Sequence, residues 1–444
     1  MSIRIVDDLA EAQRTILARR PPEEETLSPQ MREGIKAVFG ADLSAAEVVD
    51  RILGDVRRDG DAAVRHYTAA IDGADLDDLL VSEEEIAAGV AQVTPEVLAA
   101  MRLTAERVEV FHQRQLRQNW VSFDDYGALG QIIRPLARVG LYVPGGTAAY
   151  PSSLLMSAIP ARVAGVEEII VATPPGRDGT LPPVTLAAAQ IAGVHRILKA
   201  GGAQAIGALA YGTASVPRVD KILGPGNIFV TLAKERVFGQ VAIDGVQGPT
   251  ETLLIADESA SAELVAADLL AQAEHDPMAS PILLTTSPEL AERVADELME
   301  QLPGLERQAI ALAAFENNGG IVVVPDLERA VALANDYAPE HLCLLVRDPW
   351  ALVPAVRNAG GIFLGEASAE VMGDYVAGPS HTMPTSGTAR FSSPINVEEF
   401  LKIISLFGLN DRAVRELGPA AAALAGAEGL GAHAAAVRRR LAKS

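Results

Sequence analysis

Residues 137–173, ARVGLYVPGGTAAYPSSLLMSAIPARVAGVEEIIVAT, decide the fold. A β-rich run ends at Gly145 and Gly146, a helical stretch follows over 152–163, and a second apolar run, EEIIVAT, closes the unit. Strand, crossover helix and strand in that order predict a right-handed βαβ unit in a parallel sheet. The alternation continues through 182–192, HRILKA, 203–211, VDKILG, 227–236 and QVAID, so one sheet is expected over about 142–250. A second series starts at ETLLIAD and runs through PILLTT, GIVVVPD, HLCLLV and GGIFLG, with helical stretches over 261–274, 288–301, 327–336 and 349–358. The fold class is therefore α/β, with two tandem Rossmann-like parallel sheets, from an internal duplication or from two copies of one architecture.

Outward from these sheets the pattern is helical. Residues 6–19 carry apolar positions at helical spacing, and the Arg-Arg-Pro-Pro-Glu-Glu-Glu run with Glu23, Glu24 and Glu25 reads as a linker. Three segments between 44 and 118 are helical by period, and 395–440 is helical again, with Arg438, Arg439 and Arg440 suited to a helix C-terminus.

The chain has 444 residues, and its 37 basic against 58 acidic residues give a net charge of −21, which repels a phosphate backbone and excludes nucleic acid as a partner. With 49% hydrophobic and 21% charged residues it reads as a packed globular chain. No apolar run approaches the ~20 residues of a membrane span, and no signal peptide is seen, so no membrane partner and a cytoplasmic location are expected. Cys343 is the single cysteine. It excludes an internal disulfide and cysteine-based zinc, iron–sulfur or CxxC chemistry, leaving His, Asp, Glu or Gln to hold any metal.

Glycines cluster at strand ends: Gly145 and Gly146, Gly201 and Gly202, Gly224 and Gly226. Backbone N–H groups there suit an anionic ligand, yet no G-x-G-x-x-G follows the first strand, so a nucleotide site and ordinary turns both remain open. Among the histidines, His66 and His112 read as surface residues and His195 as a loop residue. Gln272 and His275, spaced i, i+3 near a helix end, can chelate a borderline ion from one face, or His275 can simply meet the helix dipole. Glu340 and His341 open a strand after Pro339 and form an acid–base candidate, although strand geometry would send them to opposite sides unless the backbone bends there. Cys343 would share the face of His341, either as a nucleophile or as a small buried residue. Asp374 and His381 lie in a glycine-rich run read as a functional loop, with Asp374 a hard ligand and His381 a ligand, a supporting group or a loop residue. Glu428 and His433 sit in the tail, where an isolated histidine among alanines reads first as packing.

In this order, GLYVPGG, AGGAQAIGALAYG, KILGPGNIFVTLAK, GPTETLLIAD, LLAQAEHDP, NDYAPEHLCLL, GDYVAGPSHTMPT and EGLGAHAAAV closely resemble the histidinol dehydrogenase family, from roughly residue 30 to the C-terminus. The resemblance implies oxidation of L-histidinol to L-histidine in two NAD-dependent steps through bound histidinal, the last in histidine biosynthesis, by a zinc-dependent, intertwined homodimer. It implies Gln272, His275, Asp374 and His433 as zinc ligands, the last from the partner subunit, with Glu340 and His341 as the catalytic pair. It implies Tyr142, Gln204 and Asn227 at the NAD site, and Thr250, Gln272, His275, His341, Asp374, Glu428 and His433 as substrate contacts. The domains expected are an arm at 1–29, a first α/β domain of 30–141 with 251–393 carrying the metal and catalytic residues, an NAD-side domain at 142–250 and a helical tail at 394–444 serving the partner's site. Thr250 departs from the family's usual serine, keeping the hydroxyl and adding a methyl, and GPSH stands where some members have Asn before the His. The alternatives are a paralogous zinc- and NAD-dependent dehydrogenase of another polar alcohol and a non-catalytic nucleotide-binding protein of this fold.

Overall fold

The computed structural model describes residues 3–19, 28–145 and 149–443; Gly146 and the linker glutamates Glu23, Glu24 and Glu25 lie outside the described residues. The strands, in chain order, are β1 (Ile5–Val6), β2 (Trp120–Asp124), β3 (Gly127–Pro135), β4 (Arg138–Tyr142), β5 (Glu168–Thr173), β6 (Arg196–Lys199) and β7 (Lys221–Leu223). They continue with β8 (Ala242–Ile243), β9 (Glu251–Ala256), β10 (Ser280–Thr285), β11 (Gly320–Val323), β12 (His341–Leu345), β13 (Gly361–Leu364) and β14 (Leu401–Leu409).

Two parallel sheets form, as the alternation predicts. One has the order β6-β5-β4-β7-β8 and the other β1-β11-β10-β9-β12-β13. Counted from its own first strand, each follows the same 3-2-1-4-5 path, and β1 from the N-terminal arm adds an edge strand to the second. Both faces of both sheets are covered, which is why the strands read as continuous apolar runs: each face has its own buried cluster. In such sheets the crevice lies where the strand order reverses, here between β4 and β7 and between β9 and β12.

Several expectations are corrected. The helical block of 30–118 does not group with 251–393. Val48, Val49, Ile52 and Val56 of helix Ala45–Asp59 pack with the β4–β8 sheet, and Met101, Ala105 and Val108 of helix Pro95–Gln113 cover its other face. His112 is fully buried rather than at the surface, because 101, 105, 108 and 112 share one helical face, and its Nδ1 donates to the Val108 carbonyl at 2.7 Å. The tail is not all helix: β14 pairs antiparallel with β3, which pairs with β2, in a third, three-stranded sheet that sequence windows did not reveal. That sheet exposes Phe123 (79%) and Phe407 (76%), with Trp120, Val121, Ile403 and Ile404 also exposed. Asp374 stands on a short helix, Glu370–Tyr375, not in a loop.

A buried ion pair fixes the turn after β7. Lys234 Nζ meets Asp244 at 2.5 Å, donates to Gln247 Oε1 at 2.8 Å and to the Gly224 carbonyl at 2.9 Å, while Asp244 accepts from the Gly224 N–H at 2.7 Å. Gly224, at φ 115, approaches the Tyr142 carbonyl so closely that a Cβ would stand 2.1 Å from it, so only glycine fits. Replacing Lys234 by Met strands the Asp244 carboxylate in the interior and should lower the unfolding free energy by about 3–5 kcal/mol. Urea denaturation tests this; a loss below about 1 kcal/mol would contradict the role given to the pair.

Candidate active site

A cleft of about 250 Å³ lies between the carboxyl edge of the first parallel sheet and the amino edge of the second. Pro144 and Pro225, just past β4 and β7, line one side, and Thr250, Glu340 and His341, at the amino ends of β9 and β12, line the other. The strand-end rule thus locates half of the site, and the catalytic candidates sit at the opposite strand polarity.

Glu340 and His341 face the cleft together. The backbone bends one residue before Pro339: Ala338, which follows helix Leu327–Tyr337, is left-handed at φ 52, ψ 65. Glu340 precedes the strand and turns its carboxylate back across β9. There Oε2 accepts the Glu251 N–H at 3.1 Å and lies 2.6 Å from the Thr250 hydroxyl, which is 3.0 Å from Gln272 Oε1. One hydroxyl proton cannot serve both oxygens at once, so Thr250 stands at a branch between Glu340 and Gln272. Burial pushes the Glu340 carboxyl up to about 7 against the pull of His341 and Thr250.

His341 is 3% exposed. Its Nδ1 donates to the Glu251 carbonyl at 3.3 Å and lies 3.6 Å from Glu340; its Nε2 has no partner among the described residues and lies 3.9 Å from Asp374 Oδ1. Burial opposes charge on the ring, but the carboxylates of Glu340, Glu370 and Asp374 outweigh it and push the pKa up to about 9.

Gln272, His275 and Asp374 line the same cleft. Helix Ala262–Ala273 presents Gln272, 2% exposed, His275 follows its end, and helix Glu370–Tyr375 brings Asp374 from a distant segment. A carbonyl oxygen, an imidazole and a carboxylate make a mixed donor set that fits a borderline divalent ion. Among the described residues no three of His, Cys, Asp and Glu converge as a metal centre, so such an ion would depend on Gln272 and on a further donor. His433 and Glu428 are not in the cleft; both are exposed on the tail helices Asp411–Ala427 and Gly431–Leu441 or the turn between them.

The remaining candidates divide. Tyr142 ends β4, and its hydroxyl accepts the Gly202 N–H at 3.1 Å; Gln204 is fully buried with Oε1 unpartnered among the described residues; Asn227 caps helix Ile228–Val237. All three lie along the carboxyl edge of the first sheet, but none lines the cleft itself. His381 does line it as a tie: its Nδ1 donates to the Asp374 carbonyl at 2.8 Å and its Nε2 accepts from Ser153 at 3.0 Å. Cys343 shares the His341 face as expected, but it is buried behind the cleft, donates to Glu370 at 2.9 Å, and burial pushes its thiol well up, a poor setting for a nucleophile. Sequence reasoning missed Glu251 and Glu370, the buried carboxylates flanking the pair. The signal for Glu251 was a carboxylate opening an otherwise apolar strand.

Comparison with known proteins agrees with this geometry. The family described as "Histidinol dehydrogenase" matches residues 40–441. A histidinol dehydrogenase of Deinococcus radiodurans is 55% identical over 409 residues, covering 92% of this chain and 93% of that one. One from Dehalococcoides mccartyi is 50% identical over 439 residues, 99% of this chain and 100% of the other. The crystal structure of a histidinol dehydrogenase from Elizabethkingia anophelis superposes with a TM-score of 0.91 at 36% identity, covering 100% of this chain and 98% of that one. The chain belongs to the histidinol dehydrogenase family, whose members are oxidoreductases of histidine biosynthesis.

Proposed function

We propose that the chain oxidises L-histidinol to L-histidine in two successive hydride transfers to NAD, through held L-histidinal, as a zinc-dependent homodimer in the last step of cytoplasmic histidine biosynthesis. The observation that supports this most is the cleft itself, where a buried Glu–His pair faces Gln272 and His275 from one helix end and Asp374 from a distant segment. His433 of the partner subunit would complete the donor set, with Glu428 of the partner subunit beside the substrate. The sheet of β2, β3 and β14, with exposed apolar side chains on both of its faces, offers surface that a second copy could cover. Bound zinc would orient the substrate's imidazole and amine nitrogens, and NAD held by Tyr142, Gln204 and Asn227 would accept hydride.

The chain's own residues move the protons. Nδ1–H of His341 is committed to the Glu251 carbonyl, so once the ring has lost its second proton, a loss that the raised pKa defers until pH rises toward 9, Nε2 is the free acceptor. It takes the alcohol proton as hydride leaves the carbinol carbon, giving the aldehyde. Ionised Glu340, tuned near neutrality, then removes a proton from the water that adds to histidinal while the proton held on His341 passes to the carbonyl oxygen, and His341, neutral again, accepts the hydrate's proton in the second hydride transfer; the protons left on Glu340 and His341 then go to solvent. One water is consumed, and each oxidation removes two electrons. Thr250 holds the Glu340 carboxyl while its methyl narrows the wall beside the substrate.

Limiting L-histidinol should yield two NADH per molecule, lost on chelation and restored by zinc; a yield of one, or a rate indifferent to chelation, would reject the reading. Glu340→Gln and His341→Asn should each lower turnover by about 10²- to 10⁴-fold with zinc retained. Wild-type turnover in either variant would remove that residue's role. His433→Asn should weaken zinc and histidinol binding together, and unchanged metal content by elemental analysis would contradict a ligand shared between subunits.

A further inference from the structure

The N-terminal arm reaches the catalytic turn through one side chain. Arg19 Nε donates to the Tyr337 carbonyl at 2.9 Å, and Nη2 donates to the carbonyls of Tyr337 at 2.6 Å and Ala338 at 3.2 Å. Nη1 and Nη2 also form a two-point ion pair with Glu251, and the guanidinium lies 4.0 Å over the Tyr337 ring.

Each contact meets a specific need. Tyr337 and Ala338 present the last carbonyls of helix Leu327–Tyr337, groups that helix geometry leaves without donors and that a cation suits through the dipole. Ala338 is left-handed although it bears a side chain and precedes a proline, both of which disfavour local bending of this kind, so the turn needs an outside hold. On the other side of the guanidinium, Glu251 supports both catalytic candidates: its N–H binds Glu340 at 3.1 Å and its carbonyl binds His341 Nδ1 at 3.3 Å. Its carboxylate further accepts the Ser386 N–H at 2.9 Å, joining the loop after His381 to the same point. One planar guanidinium serves a carboxylate and two carbonyls through its edge and a ring through its face, which an ammonium cannot reproduce.

We propose that Arg19 is a positioning residue for the reaction, clamping the Tyr337–His341 turn to Glu251 so that Glu340 and His341 face the substrate. Its side chain does not line the cleft. The proposal rests on the reading of Glu340 and His341 as the acid–base pair, and it assigns a role to a residue upstream of the region the family match covers. The arm has independent anchors, since Ala12 and Ile16 are buried and β1 pairs with β11, so removing the Arg19 side chain leaves it docked.

Arg19→Ala should lower kcat by about 10- to 100-fold while KM for histidinol stays within about threefold and zinc content is unchanged, because a misplacement near 1 Å costs rate rather than binding. Millimolar methylguanidinium should restore part of that rate and ammonium should not. In a Glu340→Gln background the same substitution should cost clearly less than in the wild type, since one group it aims is already gone. If Arg19→Ala fails to fold, Arg19→Lys carries the same criterion, with a kcat loss of at least about fivefold expected. Wild-type kcat in the folded variant, an equal loss in both backgrounds, or a lowered melting temperature with a rate deaf to methylguanidinium would each overturn the proposal. Wild-type turnover in Glu340→Gln and His341→Asn would instead fault the acid–base reading, a result separable from anything Arg19 does.

Discussion

Two carboxylates are buried side by side at the amino edge of one parallel sheet, and the surrounding structure is organised by how each is compensated. Glu251 opens β9 and Glu340 precedes β12, its neighbour, at 5% and 7% exposure. Buried anions left unpaired cost several kcal/mol each. Glu251 receives a guanidinium and a backbone N–H. Glu340 receives no cation but the imidazole 3.6 Å away, and burial, with Glu251 adding to it, keeps its carboxyl near neutrality. One carboxylate is tied into the architecture, and the other, in the reading proposed above, stays available for proton transfer.

The opposed polarity of the two sheets explains why the cleft has two chemical characters. The carboxyl edge of the first sheet offers turns, a capping asparagine and the glycine-lined approach at Gly224, features that suit an extended anionic ligand. The amino edge of the second sheet offers titratable side chains whose backbones are held by paired strands. His381 bridges the two, tying the Asp374 backbone on one side to Ser153 on the other. A hydride acceptor and a proton acceptor can then approach one carbon from different walls, each supported by its own sheet.

Much of this was legible in the sequence because βαβ units are local: strand, turn and helix lie within a window that periodicity can read. The Gln272–His275 spacing and the adjacency of Glu340 and His341 belong to the same scale. What escaped depends on distant partners. The strand Leu401–Leu409 becomes one by pairing with β3, more than 260 residues earlier, and nothing in its own window demands that. The block 30–118 joined the wrong sheet in the sequence reading because helical periodicity shows which face is buried and not against what. His112 was a different failure, since its position in the 101, 105, 108, 112 stripe was readable and its polarity was given too much weight. The convergence of Glu340 and His341 turned on a left-handed alanine, a conformation that no residue-type rule assigns.

The tail shows the same logic at the scale of the whole chain. Helices Asp411–Ala427 and Gly431–Leu441 pack on each other, and few of their residues are buried, chiefly Ala413, Gly418, Ala422 and Ala434. Small side chains contribute little hydrophobic stabilisation, while Leu417 and Leu424, seven residues apart on one face, remain 46% and 67% exposed. Burying such a face against a second copy would stabilise the tail and also order the turn carrying Glu428 and the helix carrying His433. In the homodimer proposed above, assembly and completion of the site would therefore draw on one interaction. In the same reading, the cleft of a single chain would orient its acid–base pair from within, through the sheet and Arg19, and would acquire its last metal donor when the apolar face is covered.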